Sequence, residues 1–231
     1  MAICEICDGI GLVPTGRGSA QRCQCQTEQE RSIRLNRVGI PRLFSSSTLA
    51  GFQTASPHAQ KALGLAHRYV ASYIPGQTKT GLLLSGSTGA GKTHLAVGIA
   101  RQLVEEKGIE ARFVGMDDLI DRLRNASFEK DAAESKRDIM QPIYAGELIV
   151  IDELGGAALN DFVFDIIERL IGRLYNEQYP VIVTTNSLNQ QFDPKARQPT
   201  LGERIGQRMF SRLQQMCFAI DMTGPDWRTK K

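Results

Sequence analysis

Two groups of residues in this 231-residue chain have the types and the spacing to do chemistry. The first is Gly86-Ser87-Thr88-Gly89-Ala90-Gly91-Lys92-Thr93, a complete Walker A motif. Its glycines let backbone N–H groups turn inward around phosphate oxygens, and a helix opening at Lys92 adds partial positive charge. Lys92 reaches the β- and γ-phosphates of ATP, and the Thr93 hydroxyl helps to hold Mg²⁺. His94, next along the helix, packs near the phosphates without a catalytic part. About 60 residues further on, LIVIDE (148–153) is an apolar strand ending in two acids. Asp152 is expected near the same Mg²⁺ through water, and Glu153 is placed to orient and deprotonate an attacking water. That pair argues for hydrolysis over transfer to a small acceptor. In VIVTTNS (181–187), Asn186 is the candidate to touch the γ-phosphate or the lytic water.

The second group is Cys4, Cys7, Cys23 and Cys25: two close pairs separated by fifteen residues, the ligand grouping of structural Zn²⁺. Gly9 and Gly11 follow Cys7 as in a zinc knuckle, whose backbone folds back to donate N–H bonds to sulfur. Four thiolates leave no open coordination position, so the metal is expected to be structural. Metal binding contributes on the order of 10 kcal/mol to a segment with almost no apolar core of its own. Cys217, the fifth cysteine, begins an apolar strand and reads as core.

These residues need elements to position them. Short apolar runs at 81–86, 111–115, 148–153, 181–186 and 217–221 are mostly continuous rather than alternating, which predicts strands buried on both faces, as in a parallel sheet. Helical candidates lie between them at 92–107, 117–126, 161–178 and 202–215. In the third, Val163, Ile166, Ile167, Leu170, Ile171 and Leu174 form one apolar stripe. Strand and helix in alternation predict an α/β domain with right-handed crossovers. Ahead of it, 27–38 reads as a helix, Gly39-Ile40-Pro41 as a break, and 56–74 as a second helix with Ser56 as cap and Pro57 in its first turn.

Composition excludes little more. The chain is 42% hydrophobic and 23% charged, with no apolar run near the roughly 18 to 20 residues of a membrane span. Its start lacks the basic and apolar regions of a signal peptide, which predicts a cytoplasmic protein without membrane contact. Net charge is only +3, although residues 195–231 hold eight Lys or Arg against three acids. That distribution suits phosphate contact and a solvated face equally well.

Taken together, Gly86–Thr93 followed by His94-Leu95-Ala96, Ile151-Asp152-Glu153, Thr184-Thr185-Asn186 and LGERIGQRMFSRL (201–213) resemble the AAA+ ATPases of the DnaC/DnaI helicase-loader and IstB group, relatives of the initiator DnaA. The resemblance covers residues 39–228, including GIPRLFSSSTLAGF (39–52), which in the family borders the nucleotide. It implies a P-loop NTPase with a five-stranded parallel sheet that assembles into an oligomer on binding ATP. It also implies an arginine presented to the neighbouring subunit's γ-phosphate. By motif that finger is Arg212, with Arg208 one turn earlier as a second candidate. The chain ends too soon for the helical lid of DnaA-like proteins, so no C-terminal lid domain is expected. Arg228 is open as a substitute for the lid's arginine sensor.

The organisation expected is a zinc module (1–25) that recognises a partner, a helical linker (26–42) and an AAA+ ATPase domain (43–231). The group implies a loader that grips a hexameric, DnaB-type replicative helicase through the zinc module and assembles on single-stranded DNA. An extra helical piece in 116–145 fits a DNA path, with Phe128 for stacking and Lys130, Lys136 and Arg137 for phosphates. A solvated amphipathic hairpin fits the same residues. The alternative is an IstB-like transposition helper on duplex DNA with a transposase. A non-hydrolysing ATP-bound adaptor is opposed by Glu153 and Asn186.

Overall fold

The structure is a computed structural model that describes residues 4–16, 18–54, 56–128, 133–158, 160–187, 199–224 and 226–227. Lys130 and Arg228 lie outside the described residues. At the front is an antiparallel hairpin, β1 (Leu12–Gly16) and β2 (Ser19–Arg22). It is followed by α1 (Gln24–Val38), a 3-10 turn (Arg42–Phe44) and α2 (Pro57–Ser72). The main body comprises β3 (Gly81–Ser85), α3 (Lys92–Lys107), β4 (Ala111–Gly115), α4 (Met116–Phe128), α5 (Lys136–Tyr144) and β5 (Leu148–Asp152). It is completed by α6 (Asp161–Asn176), β6 (Val181–Thr185), α7 (Leu201–Ile205), α8 (Gln207–Met216) and β7 (Cys217–Asp221).

The five strands of the body are all parallel, in the order β4-β5-β6-β3-β7. Continuous apolar strands require cover on both faces, and both are covered. On one face Leu83, Ile149, Ile151, Val181 and Val183 meet the stripe of α6, together with α4, α5 and α8. Alternate residues, Leu82, Leu84, Val150 and Ile182, point the other way into a second core with α2 and α3. Leu170, Ile171 and Leu174 of the stripe are fully buried, each contributing about 2 kcal/mol by leaving water. Among the described residues no helix is long and apolar enough to cross a membrane.

Local chemistry sets several boundaries. The Ala59 N–H donates to the Ser56 hydroxyl at 3.1 Å and Pro57 occupies the first turn of α2, as the sequence predicts. The helix expected at 202–215 is instead two, because Gly206 takes φ 87° and ψ 141° between α7 and α8. The Phe164 ring lies 3.0 Å from where a Gly206 Cβ would sit, so neither the turn nor the space admits a side chain. α1 starts earlier than its polar run suggests, which puts Cys25 in its first turn.

Strand order decides where the site falls. β6 lies between β5 and β3, so the tips carrying Asp152, Thr184 and the phosphate loop stand side by side at the carboxyl edge of the sheet. Close strand contact also fixes Gly81. A Cβ there would lie 1.9 Å from the Val181 carbonyl oxygen and 2.7 Å from its nitrogen, both main chain. Gly81→Ala is therefore expected to destabilise the body by about 3 kcal/mol, read as a lower urea midpoint with an unchanged m-value.

Candidate nucleotide site and cysteine centre

The Walker A loop leaves β3 and ends on Gly91, whose φ of 87° turns the chain into α3. Lys92 is largely buried, and its ammonium donates to the carbonyls of Gly86 (3.0 Å) and Ser87 (2.7 Å), which holds the charge against the loop. Thr93 Oγ1 donates to Asp152 Oδ1 at 2.8 Å, joining the phosphate loop to the tip of β5. A second hydroxyl, Thr184 Oγ1, donates to the same oxygen at 2.6 Å and accepts the Glu153 N–H at 2.9 Å. Asn186 Nδ2 donates to Glu153 Oε1 at 3.3 Å. Lys92, Thr93, Asp152, Glu153 and Asn186 are thus brought to one cluster.

Glu153 is not the last residue of the strand. It turns out of β5 with φ 62°, a left-handed conformation that aims its side chain away from the core. The next residues are held by Leu154 N–H to Thr184 O (2.9 Å), Thr185 Oγ1 to Leu154 O (2.8 Å) and Arg204 Nη1 to Gly155 O (3.2 Å). A cleft of about 300 Å³ is lined by Lys92, Thr93, Glu153 and Asn186, and by two aromatic side chains, Phe44 and Trp227. His94 borders it while its Nε2 meets the Thr48 carbonyl (2.9 Å) and its ring meets Phe52 edge-on at 5.5 Å.

Arg208 and Arg212 do not line this cleft. Both stand on α8 against α6, where Arg208 pairs with Glu168 at 3.0 Å and Arg212 lies 5.3 Å from the centre of the Tyr175 ring. Gly172 makes room for Arg212, whose Nη1 is 3.0 Å from where a Cβ would be. Of the residues singled out for DNA, Phe128 is 73% exposed and leans on Phe162 at 5.6 Å, while Lys136 and Arg137 share a hollow with Phe162.

The four N-terminal cysteines converge so that all four sulfurs lie within 4.8 Å of one another. Cys4 and Cys23 are 3.8 Å apart and Cys7 and Cys25 are 3.5 Å apart. Tetrahedral Zn²⁺ with thiolate bonds of about 2.3 Å needs sulfurs about 3.8 Å apart, so the donor set fits that ion. The Gly11 N–H donates to Cys7 Sγ at 3.2 Å, as in a knuckle, and this bond brings the Cys7 thiol down to about 7. Hydrogen bonds from the neighbouring sulfurs, Cys23 first, push Cys25 up to about 12. Four thiols this close resist joint ionisation without a cation among them. Cys217 is buried at the start of β7, as expected of core.

With this geometry in hand, the sequence matches the model of the IstB-like ATP binding protein family over residues 27–231. The chain belongs to that family. Among relatives, it is 25% identical over 174 residues to "Replicative helicase loader DnaC" of Escherichia coli (strain K12), covering 75% of this chain and 67% of that protein. It is 32% identical over 158 residues to "Insertion sequence IS5376 putative ATP-binding protein" of Geobacillus stearothermophilus, covering 66% of this chain and 57% of that one. Among solved structures, that of the DnaC helicase loader superposes with a TM-score of 0.69 at 26% identity, covering 79% of this chain and 99% of the other. The AAA+ architecture and its five-stranded parallel sheet agree with what the motifs implied.

For this IstB-like chain, sequence reasoning passed over four residues at the site. Thr184 was visible only as part of a strand motif, although a hydroxyl on an otherwise apolar strand is a signal. Arg204 and Trp227 come from segments distant in sequence and carry no spacing cue, though Trp227 is the only tryptophan in the chain, while Phe44 lies in the 39–52 segment expected beside the nucleotide but was not singled out within it. The cysteine centre precedes the matched residues, and the two cores of the body contain none of its side chains. Purified protein is expected to hold one zinc per chain by atomic absorption. Cys7→Ser should abolish that zinc while shifting the main thermal transition by less than about 2 °C, because the body's cores are untouched.

Proposed function

We propose that the chain is an ATP-dependent loader of a replicative DNA helicase, with residues 1–25 as its partner-recognition module, 26–42 as linker and 43–231 as the ATPase. The observation that supports this most is the assembled site: Thr93, Asp152, Glu153 and Asn186 linked by hydrogen bonds through Thr184 at the sheet edge, with Lys92 lining the same cleft, on a chain that also carries a four-cysteine centre. ATP is the substrate. Lys92 and the loop N–H groups of residues 86–93 bind its phosphates and neutralise their charge. Thr93 and Asp152 would hold Mg²⁺, which would supply positive charge to neutralise the phosphates. Asn186 orients Glu153, and Glu153 accepts a proton at its carboxylate oxygen from the attacking water.

Arg212 completes the charge stabilisation in a neighbouring copy rather than in its own, since it stands on α8 outside the cleft; Arg208 is the second candidate. ATP binding therefore drives assembly, and hydrolysis reverses it. Phe128, Lys136 and Arg137 would track single-stranded DNA on the α4–α5 surface, with the Phe128 ring exposed to stack a base. The apolar side chains of Ile6 and Ile10, 62% and 72% exposed on the cysteine module, suit a protein surface. The insertion-sequence relative supports a second reading, a transposition helper that acts on duplex DNA with a transposase.

The deciding experiment mixes the purified chain with a hexameric replicative helicase, with MgATP present. Metal-dependent co-elution that Cys4→Ser abolishes is the loader result. Indifference to the helicase, with retention on duplex DNA and transposase, would transfer the protein to the second reading. For the chemistry, Glu153→Gln is expected to bind ATP within a few-fold of wild type and to lower kcat by about a hundredfold or more. Arg212→Ala should be equally slow alone and regain turnover when mixed with a Lys92→Ala subunit, because each supplies what the other lacks. Full activity of Arg212→Ala alone would remove the finger.

A further inference from the structure

α5 is only nine residues long and leaves part of α6 uncovered. Ser135 and Asp138 close its first turn as a capping box, and Ile139 and Ile143 turn into the core. Met140 stays half-buried at the edge of that packing, beside Phe162 and Ile166 of α6 and Leu123 and Ser127 of α4. These side chains line a hollow of about 310 Å³. Its one hydroxyl, Ser127 Oγ, is already committed to the Leu123 carbonyl. Four exposed charged residues border it: Lys136, Arg137, Asp165 and Arg169. Arg169 Nε donates to both carboxylate oxygens of Asp165 at 2.8 Å, so that pair cancels. Among the described residues neither Lys136 nor Arg137 is in ion-pair contact with an acid. Asp138, which Arg137 influences at longer range, is held by the Ser135 hydroxyl and N–H. Both cations also stand in the first turn of α5, where the helix dipole disfavours them. A second hollow, of about 530 Å³, shares Arg137 and Met140 and runs on to Tyr144 and Arg173, whose guanidinium carbon lies 3.8 Å from the Tyr144 ring centre.

We propose that this groove between α5 and α6 docks an acidic peptide segment of a partner protein, with one apolar side chain seated in the hollow and its flanking carboxylates on Lys136 and Arg137. An apolar pocket with cations at its border is complementary to that chemistry at both levels. The anchor leaves water against Leu123, Met140, Phe162 and Ile166, and the two unneutralised cations favour acidic neighbours and reject basic ones. A nucleobase suits the hollow less well. Its edge carries donors and acceptors, and the one hydroxyl inside is already bonded, so those groups would be buried without partners. Such a site goes beyond the single-strand path, with which it shares Lys136 and Arg137, and does not depend on it.

The probe is a fluorescein-labelled peptide with one phenylalanine between two runs of aspartates, titrated into the full-length protein and followed by anisotropy. Saturable binding is expected. It should weaken about tenfold or more when the phenylalanine is replaced by serine, and likewise when the aspartates are replaced by asparagines. On the protein side, Arg137→Glu should cost about tenfold by removing a cation. Ser127→Leu, which fills the hollow and keeps both cations, should cost a similar factor. Each variant is compared with wild type by its thermal transition, and the peptide substitutions decide the matter where a variant does not fold. Absence of peptide binding would overturn the site, as would equal binding of the serine form. An equal loss of a thymidine oligonucleotide and the peptide in Ser127→Leu would give the hollow to nucleic acid and overturn peptide docking.

Discussion

One hydroxyl holds the candidate catalytic edge together. Thr184 Oγ1 donates to Asp152 and accepts from the Glu153 main chain, so a single side chain fixes the Asp152 carboxylate and the residue beside it. That placement depends on strand register. Ile151 pairs with Val183 and Leu84 with Thr184, so one step along β5 and β6 brings Asp152 level with Thr184. A two-residue slip of β6 would move the hydroxyl about 6.6 Å, beyond reach of either partner. The apolar residues Val181, Ile182 and Val183 are fully buried and resist such a slip, so the cores on both faces set the geometry of a polar contact at the edge.

The same contact carries strain. Glu153 adopts φ 62°, which costs a non-glycine residue on the order of 1 kcal/mol. The bonds of Glu153 N–H and Leu154 N–H to Thr184 offset it, and the Gly156 N–H closes the turn on Glu153 O at 3.1 Å. A side chain on Gly156 would meet Glu153 Cγ at 2.8 Å and push the Glu153 side chain from its place. Arg204 is the outer support, donating to Gly155 O from α7. α7 is joined through Gly206 to α8, which bears Arg208 and Arg212. The outer support of the Glu153 turn and the helix bearing Arg208 and Arg212 are therefore consecutive elements of one short stretch of chain.

What the sequence disclosed and what it hid follow a physical division. The five body strands fell within a residue of their apolar runs, because burial on both faces demands continuous hydrophobic character and leaves a plain trace. That Lys92, Thr93, Asp152 and Glu153 converge on one edge was legible because a phosphate loop and an acid-tipped strand each fix residue type at fixed spacing. Gly206 was not, since a helix and a pair of helices carry the same apolar periodicity. The left-handed turn of Glu153 was hidden for another reason: nothing in an acid's identity reports its φ. Trp227 and Phe44 both line the cleft, but only Phe44 lies in a segment, 39–52, that the resemblance had placed beside the nucleotide; nothing near Trp227 in sequence points to the cleft.

The cysteine centre reaches the nucleotide cleft by one covalent route. Cys25 lies in the first turn of α1, which runs unbroken to Val38, and the chain then passes Phe44 and Thr48, the partner of His94. Along α1, Arg31 pairs with Glu105 at 3.0 Å, and Arg34 and Arg37 approach Glu110 at 4.0 and 3.8 Å, beside Arg112 at 3.1 Å. Partly exposed pairs of this kind contribute at most about 1 kcal/mol each, and three cations sharing one carboxylate contribute less than three separate pairs. Val38, fully buried at the end of the helix, adds about 2 kcal/mol by itself. The firm attachment is therefore the last turn of α1, while the first turn is held by the cysteines. α1 thus joins the cysteine centre to the body through one buried apolar contact and a set of weak surface ion pairs.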